Sequence, residues 1–377
     1  MKTASAAVAA FLLLSVAGAR AQSSAKATPR PVPKEPQTGA GVTAKAGTEA
    51  SPGTSPAEIQ DFRVLDENPN DPFALERLGL GAVQANDLAK ARLFFERAWK
   101  LGQLPTAAYN LACVDAREKK VDAAFGSLNR ALAAGFDDET SLKTDPDLAS
   151  LRASPRFKGV LDGATKNRAA GDAAAVKEGI FVAPKRKPVA ALVLLHDAAS
   201  SPMTVSAPFI AEAGKRGLFL AVPRGPGKSA DRRFGWGSAG RAAAAVDAAI
   251  AEARKRAHDP KLPVFLLGVG RGGTEAFTAA ARKPAGTVAG VGSIGGPFDP
   301  GAAGGAAGLR GARLFFGIAR DASPAQGGAF RRGVDTLWKS GYSPAVVEWP
   351  GAGASFPKDV PKAVADALDG LGLPAGL

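Results

Sequence analysis

The sequence predicts an all-helical segment followed by an α/β segment built on a mostly parallel, doubly wound sheet. Strand-like and helix-like runs alternate from residue 175 to the end, which is the order that lays helices on both faces of a parallel sheet. Upstream, helical patterning repeats itself at an offset of 33 residues within about 71–135. With 46% of its 377 residues apolar and 22% charged, the chain has enough apolar material for both cores.

The chain begins with Met1-Lys2 and an apolar stretch from about Ala6 to Ala17, and Ala19-Arg20-Ala21 then offers small residues where a signal peptidase needs them. Residues 1–21 are therefore expected to be a secretory signal peptide, cut after Ala21. The apolar run is shorter than the ~20 residues that span a bilayer. No Cys follows it, so lipid attachment there is chemically closed, and the mature protein is expected to be exported, periplasmic or secreted. Residues 22–56 are rich in Ser, Ala, Thr, Lys, Pro and Gly. Such a segment buries too little surface to offset chain entropy and is expected to be a flexible linker.

Residues 57–165 are expected to be helical repeats. Leu78-Gly79, Ala91, Phe95 and Ala98 recur 33 residues later as Leu111-Ala112, Ala124, Leu128 and Ala131. The small residue at the Gly79 and Ala112 positions lets two helices cross closely, and the later alanines sit where the second helix packs back. This pattern resembles the tetratricopeptide repeat, one residue shorter than the usual length of about 34 and without its first signature Trp. Ile59-Gln60-Asp61-Phe62 and the stretch from Asp145 to Phe157 are expected as partial or capping helices. The resemblance implies a concave helical face that receives an extended segment or helix, and hence a protein or peptide partner. Cys113 falls on the first helix of the second unit and reads as a buried, inert thiol. Residues 166–174 are expected as a short linker.

In residues 175–377 the strand-like runs are 179–183, 189–195, 217–222, 263–268, 288–294, 312–319 and 344–349, and the helix-like runs are 205–215, 240–257, 273–282, 325–340 and 359–371. Ligands of such sheets bind outside the carboxyl ends of the strands. The loops of interest are therefore 196–204, 223–238, 268–273, 295–302, 320–328 and 350–357.

Leu194-Leu195-His196-Asp197, Pro223-Arg224-Gly225-Pro226, Leu267-Gly268-Val269-Gly270-Arg271-Gly272-Gly273, Phe316 to Asp321 and Pro350 to Pro357 together resemble the α/β-hydrolase family, in its carboxylesterase and dienelactone hydrolase branch. The family places a nucleophile in a G-x-S-x-G turn, an acid after the penultimate strand and a histidine after the last. The matching positions are Gly270, Asp321 and Ala354. Two of the three reacting side chains are thus missing, and in a well-studied serine protease loss of either costs roughly a millionfold in turnover. His196 matches the oxyanion-loop histidine. Its neighbour is Asp197 where the family has Gly, a carboxylate that opposes a developing negative charge.

No literal G-x-S-x-G occurs, Ser293 sits at a strand end, and His258 lies at the expected far end of the sheet. The resemblance therefore implies a non-catalytic binding or scaffold protein, and the chain is expected not to be an enzyme. The alternative is an active serine-type esterase with an unrecognised arrangement.

Gly268-Val269-Gly270-Arg271-Gly272-Gly273 also fits G-x-G-x-x-G, but a dinucleotide fold places that motif after its first strand. A weaker expectation survives, an anion docked by Gly270, Arg271 and Gly272 at a helix N-terminus. No cofactor is expected. One Cys and two His exclude a disulfide and a four-ligand N/S zinc site.

Residues 1–56, 57–174 and 175–377 carry net charges of +4, −2 and +11. The basic residues of the last segment are scattered, with no long tract and no interleaved aromatics. Specific nucleic-acid binding is not expected, whereas a weak attraction to polyanions or a membrane surface is.

Overall fold

Alternating strand and helix signals in the second half of the chain resolve into one central sheet. The structure is a computed structural model that describes residues 65, 66, 68–296, 298, 307–351, 357 and 359–375. The expected signal peptide (1–21), the expected linker (22–56), the flank Ile59–Phe62 and Ala354 lie outside the described residues.

The helical part contains α1 (Pro72–Gln84), α2 (Leu88–Gly102), α3 (Pro105–Arg117), α4 (Val121–Ala134), α5 (Glu139–Thr144), a 3-10 turn (Pro146–Leu151) and α6 (Arg156–Lys177). Asp71 starts α1 by accepting from the amides of Phe73 and Ala74, both at 2.9 Å, which satisfies donors that the first helical turn leaves unpaired. α1 and α2 form one antiparallel hairpin and α3 and α4 another; a Cβ at Gly79 would meet the Phe95 ring at 2.5 Å, so the two helices of the first hairpin approach through that gap. Ala91, Phe95, Ala98, Ala124, Leu128 and Ala131 are all buried.

Residues 166–174, expected as a linker, lie instead within α6. Their Ala, Asn and Asp composition looks loop-like. The helix is held by tertiary contacts that composition does not encode: Gly171 lies against the Pro226 carbonyl, and Ala175 enters the core of the sheet.

The α/β part runs β1 (Ile180–Val182), β2 (Ala190–Leu195), α7 (Pro202–Lys215), β3 (Leu218–Val222), β4 (Gly227–Ala230), β5 (Arg233–Gly235), α8 (Ala239–Arg256), β6 (Val264–Val269), α9 (Arg271–Ala281), β7 (Gly290–Ile294), β8 (Arg313–Ala319), α10 (Pro324–Lys339), β9 (Ala345–Trp349) and α11 (Val360–Gly370). Among the described residues, a seven-stranded sheet has the order β1-β3-β2-β6-β7-β8-β9, with only β1 antiparallel to its neighbour. α8, α9 and α10 cover one face, and α7 and α11 the other. β2, β3 and β6 are buried along their whole length, as strands covered on both faces must be. This mostly parallel sheet with flanking helices is consistent with an α/β-hydrolase fold.

β4 and β5 form a hairpin outside the sheet, within a stretch read from the sequence as a loop. It reaches into the helical part, where Ala230 packs with Leu75, Ala98, Leu104 and Ala107. Arg241 locks the same junction. Its guanidinium pairs with Asp137 at 2.8 Å and Asp172 at 2.8 Å, and it donates to the Pro226 carbonyl at 3.3 Å, with 8% of the residue exposed.

Candidate functional site

At the carboxyl end of β6 the chain turns sharply at Gly270 and enters α9. Gly270 has φ 53° and ψ −124°, a conformation that favours glycine and stores strain in any other residue. The turn is closed by its own backbone and by the neighbouring strand. The Gly270 amide donates to the Ile294 carbonyl at 2.8 Å, and the Gly273 amide donates to the Gly270 carbonyl at 3.0 Å. Gly268 and Gly272 let strand and helix close up, since a Cβ at Gly268 would stand 2.1 Å from the Gly272 carbonyl and one at Gly272 would stand 2.4 Å from that of Leu195.

The space in front of this turn belongs to Asp197. A Cβ on Gly270 would stand 2.3 Å from the Asp197 Cγ, so the carboxylate fills the volume that a nucleophile on this turn would need. Asp197 Oδ1 accepts from the Arg271 amide at 2.7 Å and from the Ala198 amide at 2.7 Å. These two donors, one after the turn and one in the loop after β2, are the pair that forms an oxyanion hole in an α/β hydrolase. Here they are satisfied by an internal anion, which also caps the N-terminus of α9.

The Arg271 side chain runs back along α9, its Nε donating to Glu275 at 2.7 Å. Glu275 is 2% exposed, and desolvation raises its pKa despite that partner. Of the expected anion-binding residues, Gly270 and Arg271 thus surround Asp197 with backbone, and Gly272 is packed against the end of β2.

His196 is fully buried and both ring nitrogens are engaged. Nε2 accepts from the Gly225 amide at 2.9 Å, and Nδ1 lies 2.7 Å from the Asp197 carbonyl. An accepting Nε2 requires the neutral tautomer that donates from Nδ1. Burial lowers the imidazole pKa to about 4, so it stays neutral at pH 7 and acts as a structural fastener. The Trp236 indole donates to the His196 carbonyl at 2.9 Å, which fixes the loop from the other side. His258 is exposed beyond the C-terminus of α8, before the amino end of β6. Ser293 is fully buried and donates to the Gly296 carbonyl at 3.2 Å. Neither imidazole is placed to activate it.

Asp321 follows β8, exposed, with its carboxylate against Gly351 in the loop after β9. Ala354 is outside the described residues, so the structure joins Asp321 only to the start of the loop that would carry a histidine.

What sequence reasoning missed is the direction in which Asp197 points. The departure from Gly at this position was the available signal. It marked an electrostatic conflict, and the structure adds that the side chain occupies the site. The β4–β5 hairpin was also missed, although it braces the same loop: the Phe234 amide donates to the Ser200 carbonyl at 2.7 Å.

Elsewhere, Tyr109, Cys113, Asp145 and Asp147 meet beside α3. Tyr109 donates to Asp145 at 2.7 Å, and the buried Cys113 thiol, its pKa pushed well up by desolvation, lies 3.7 Å from the same oxygen. That is the environment of an inert thiol.

No family model matches the chain. A curated chloroplast protein of Arabidopsis thaliana is 37% identical over 67 residues, 16% of this chain, and the chain spans only 20% of the length of that protein. Among solved structures, the chain is similar to an uncharacterised Bacillus cereus protein, at 12% identity and TM-score 0.43, over 79% of this chain and 97% of that one. It is similar to dienelactone hydrolase from Anabaena variabilis, at 20% identity and TM-score 0.39, over 52% of this chain and 92% of that one. It is also similar to Zea mays acyl-protein thioesterase 2, at 14% identity and TM-score 0.38, over 51% of this chain and 98% of that one.

Proposed function

We propose that this chain is a non-catalytic binding component, exported from the cytoplasm, in which tetratricopeptide-like helical repeats offer a partner surface and the hydrolase-type part serves as a scaffold. The observation that carries this reading is the Asp197 carboxylate in front of Gly270, bonded to the Arg271 and Ala198 amides. A hydrolase on this scaffold needs a neutral nucleophile there and an empty pair of donors. This chain has a glycine, a fixed negative charge and two occupied donors.

The partner is an extended protein or peptide segment, or a helix, received by the helical repeats. Export is supported by the apolar run behind Met1-Lys2 and by the small residues ending at Ala21. Among the described residues no helix is long and apolar enough to cross a membrane.

The test is enzymatic. The purified chain is expected to resist fluorophosphonate labelling and to leave short-chain aryl esters and thioesters at the uncatalysed rate. Inhibitor-sensitive turnover would overturn the reading in favour of a serine-type hydrolase. Mature protein recovered outside the cytoplasm and beginning at Gln22 would support the export half, and recovery with Met1 retained would reject it.

A further inference from the structure

The net charge of the α/β part is distributed by sheet direction. Six of the seven strands are parallel, so the segments entering them lie along one edge and the segments leaving them along the other. The entering segments, 185–189, 215–217, 254–263, 282–289, 310–313 and 339–344, hold fourteen Lys and Arg and one acidic residue, Asp259. Among the described residues, the leaving segments 196–201, 223–238, 270–271, 295–296, 320–323, 350–351 and 359 hold six basic and four acidic residues. The basic surplus of this part is therefore a property of its amino-terminal edge, opposite the Asp197 site.

Helix macrodipoles explain some of this, because basic side chains are favoured in last helical turns. Lys215, Arg216, Arg256 and Lys283 fit that account and are paired with Glu212, Asp369, Glu252 and Asp247. It does not reach Lys185, Lys187, Lys261, Arg310 or Arg313, which are exposed and belong to loops or to a strand start.

Two further observations lie on the same edge. Trp338, 54% exposed, is the penultimate residue of α10, directly before Lys339, and Val189 is 40% exposed beside the 185–187 run. A cleft of about 350 Å³ opens between Arg313 and the turn Gly341-Tyr342-Ser343, at the amino ends of β8 and β9. An exposed indole among cations suits the boundary between lipid headgroups and acyl chains. Double-stranded nucleic acid would have no use for it.

We infer that the amino-terminal edge of the sheet is a docking surface for an anionic lipid bilayer. The cations sit over the headgroup phosphates, Trp338 enters the interface, and the cleft beside Arg313 receives one phosphate-bearing headgroup. The bound scaffold then presents the Asp197 edge away from the lipid. This inference is independent of whether that edge is catalytic.

The experiment is co-sedimentation of the intact purified chain with vesicles of phosphatidylcholine alone or mixed with phosphatidylglycerol, at low and raised salt. Binding is expected only to the mixed vesicles and is expected to weaken with salt. Each neutralised cation at the surface is expected to weaken binding about fivefold, so Lys255→Gln/Lys261→Gln/Arg282→Gln together should weaken it about a hundredfold. Lys100→Gln/Lys119→Gln/Lys166→Gln removes the same charge from the helical part and is expected to change binding far less. Trp338→Ala is expected to weaken binding and to abolish a vesicle-induced blue shift in indole emission.

Equal losses in the two charge variants would reduce the effect to net charge and overturn the proposal. So would binding to phosphatidylcholine alone, or an unchanged blue shift in Trp338→Ala. Binding of duplex DNA as tightly as mixed vesicles, insensitive to Trp338→Ala, would replace the lipid surface with nucleic acid.

Discussion

Asp197 Oδ1 and the Arg271 amide nitrogen are 2.7 Å apart across 74 residues of sequence, and that hydrogen bond closes the position in front of Gly270 where the Arg271 and Ala198 amides would stabilise an external anion. Asp197→Ala is expected to cost about 2 kcal/mol, because it removes charge-assisted bonds from two amides at the start of α9. The same variant should acquire an anion site. Added phosphate or acetate is expected to raise its Tm more than that of the wild-type chain, by ligand linkage. Equal phosphate responses in the two proteins would show that the amides are closed by something other than Asp197.

Gly270→Ser on its own is expected to destabilise the chain by several kcal/mol. The residue sits at φ 53°, and the new Cβ would meet the Asp197 carboxylate at 2.3 Å. Adding Asp197→Gly should recover most of the loss, an interaction that a double-mutant cycle by denaturant unfolding measures. The route back to a reactive serine therefore runs through three positions. Asp197→Gly/Gly270→Ser/Ala354→His is expected to take a fluorophosphonate label, and Gly270→Ser/Ala354→His is not.

The sheet was legible because its seven strands are apolar runs bounded by turn residues, and each observed strand falls within a residue or two of its expected span. Gly270 lies in the turn after β6 and Asp321 follows β8. No local pattern tells where the Asp197 side chain points, since its partner is remote in sequence. The β4–β5 hairpin was illegible for a related reason. Gly227 to Gly235 has glycine at both ends and no alternation of apolar residues, and its stability comes from Ala230 in a core made by other helices. α6 was cut short by composition alone, while its last turns are fixed by Gly171 against Pro226 and by Ala175.

Arg241 joins the two parts of the chain more firmly than any surface pair could. It is almost fully buried, and losing it would strand Asp137, whose carboxyl is 16% exposed. Arg241→Ala is expected to cost about 3–5 kcal/mol, the usual penalty for leaving a buried charge unpaired. Because the same side chain spans α8, α6 and the residues after α4, thermal unfolding should separate into two transitions. A single cooperative transition at lower Tm would show that the Ala230, Gly171 and Ala175 contacts couple the parts without Arg241.

His196 makes the fold sensitive to acid. Its pKa is about 4 in the folded chain against 6.5 as an ordinary histidine, so between those values the unfolded chain binds the extra proton. The contribution is fully present above pH 6.5, is lost as pH falls towards 4, and amounts to about 3 kcal/mol. His196→Gln, which can still accept from the Gly225 amide, should remove the rise in stability with pH that this group contributes across that window. Urea unfolding at pH 4.5 and pH 7 reads the difference; an unchanged slope would mean that His196 is already protonated or hydrated in the folded state.

Glu76 on α1 works in the opposite direction. It is 2% exposed, its Oε1 has no hydrogen-bond partner, and desolvation lifts its pKa to about 7, against a smaller opposing pull from Thr106 at the start of α3. The folded chain therefore holds the proton longer than the unfolded one, so this group costs stability as pH rises from 4.5 to 7. Glu76→Gln keeps the shape and removes the charge. It should be nearly neutral at pH 5 and stabilising by about 3 kcal/mol at pH 8. Between pH 4.5 and 6.5 the Glu76 and His196 slopes oppose each other, so the wild-type profile hides both. Each single variant should expose the other, with Glu76→Gln steepening the acid limb and His196→Gln turning stability downward as pH rises. Parallel profiles in the two variants would show that neither group titrates where its burial places it.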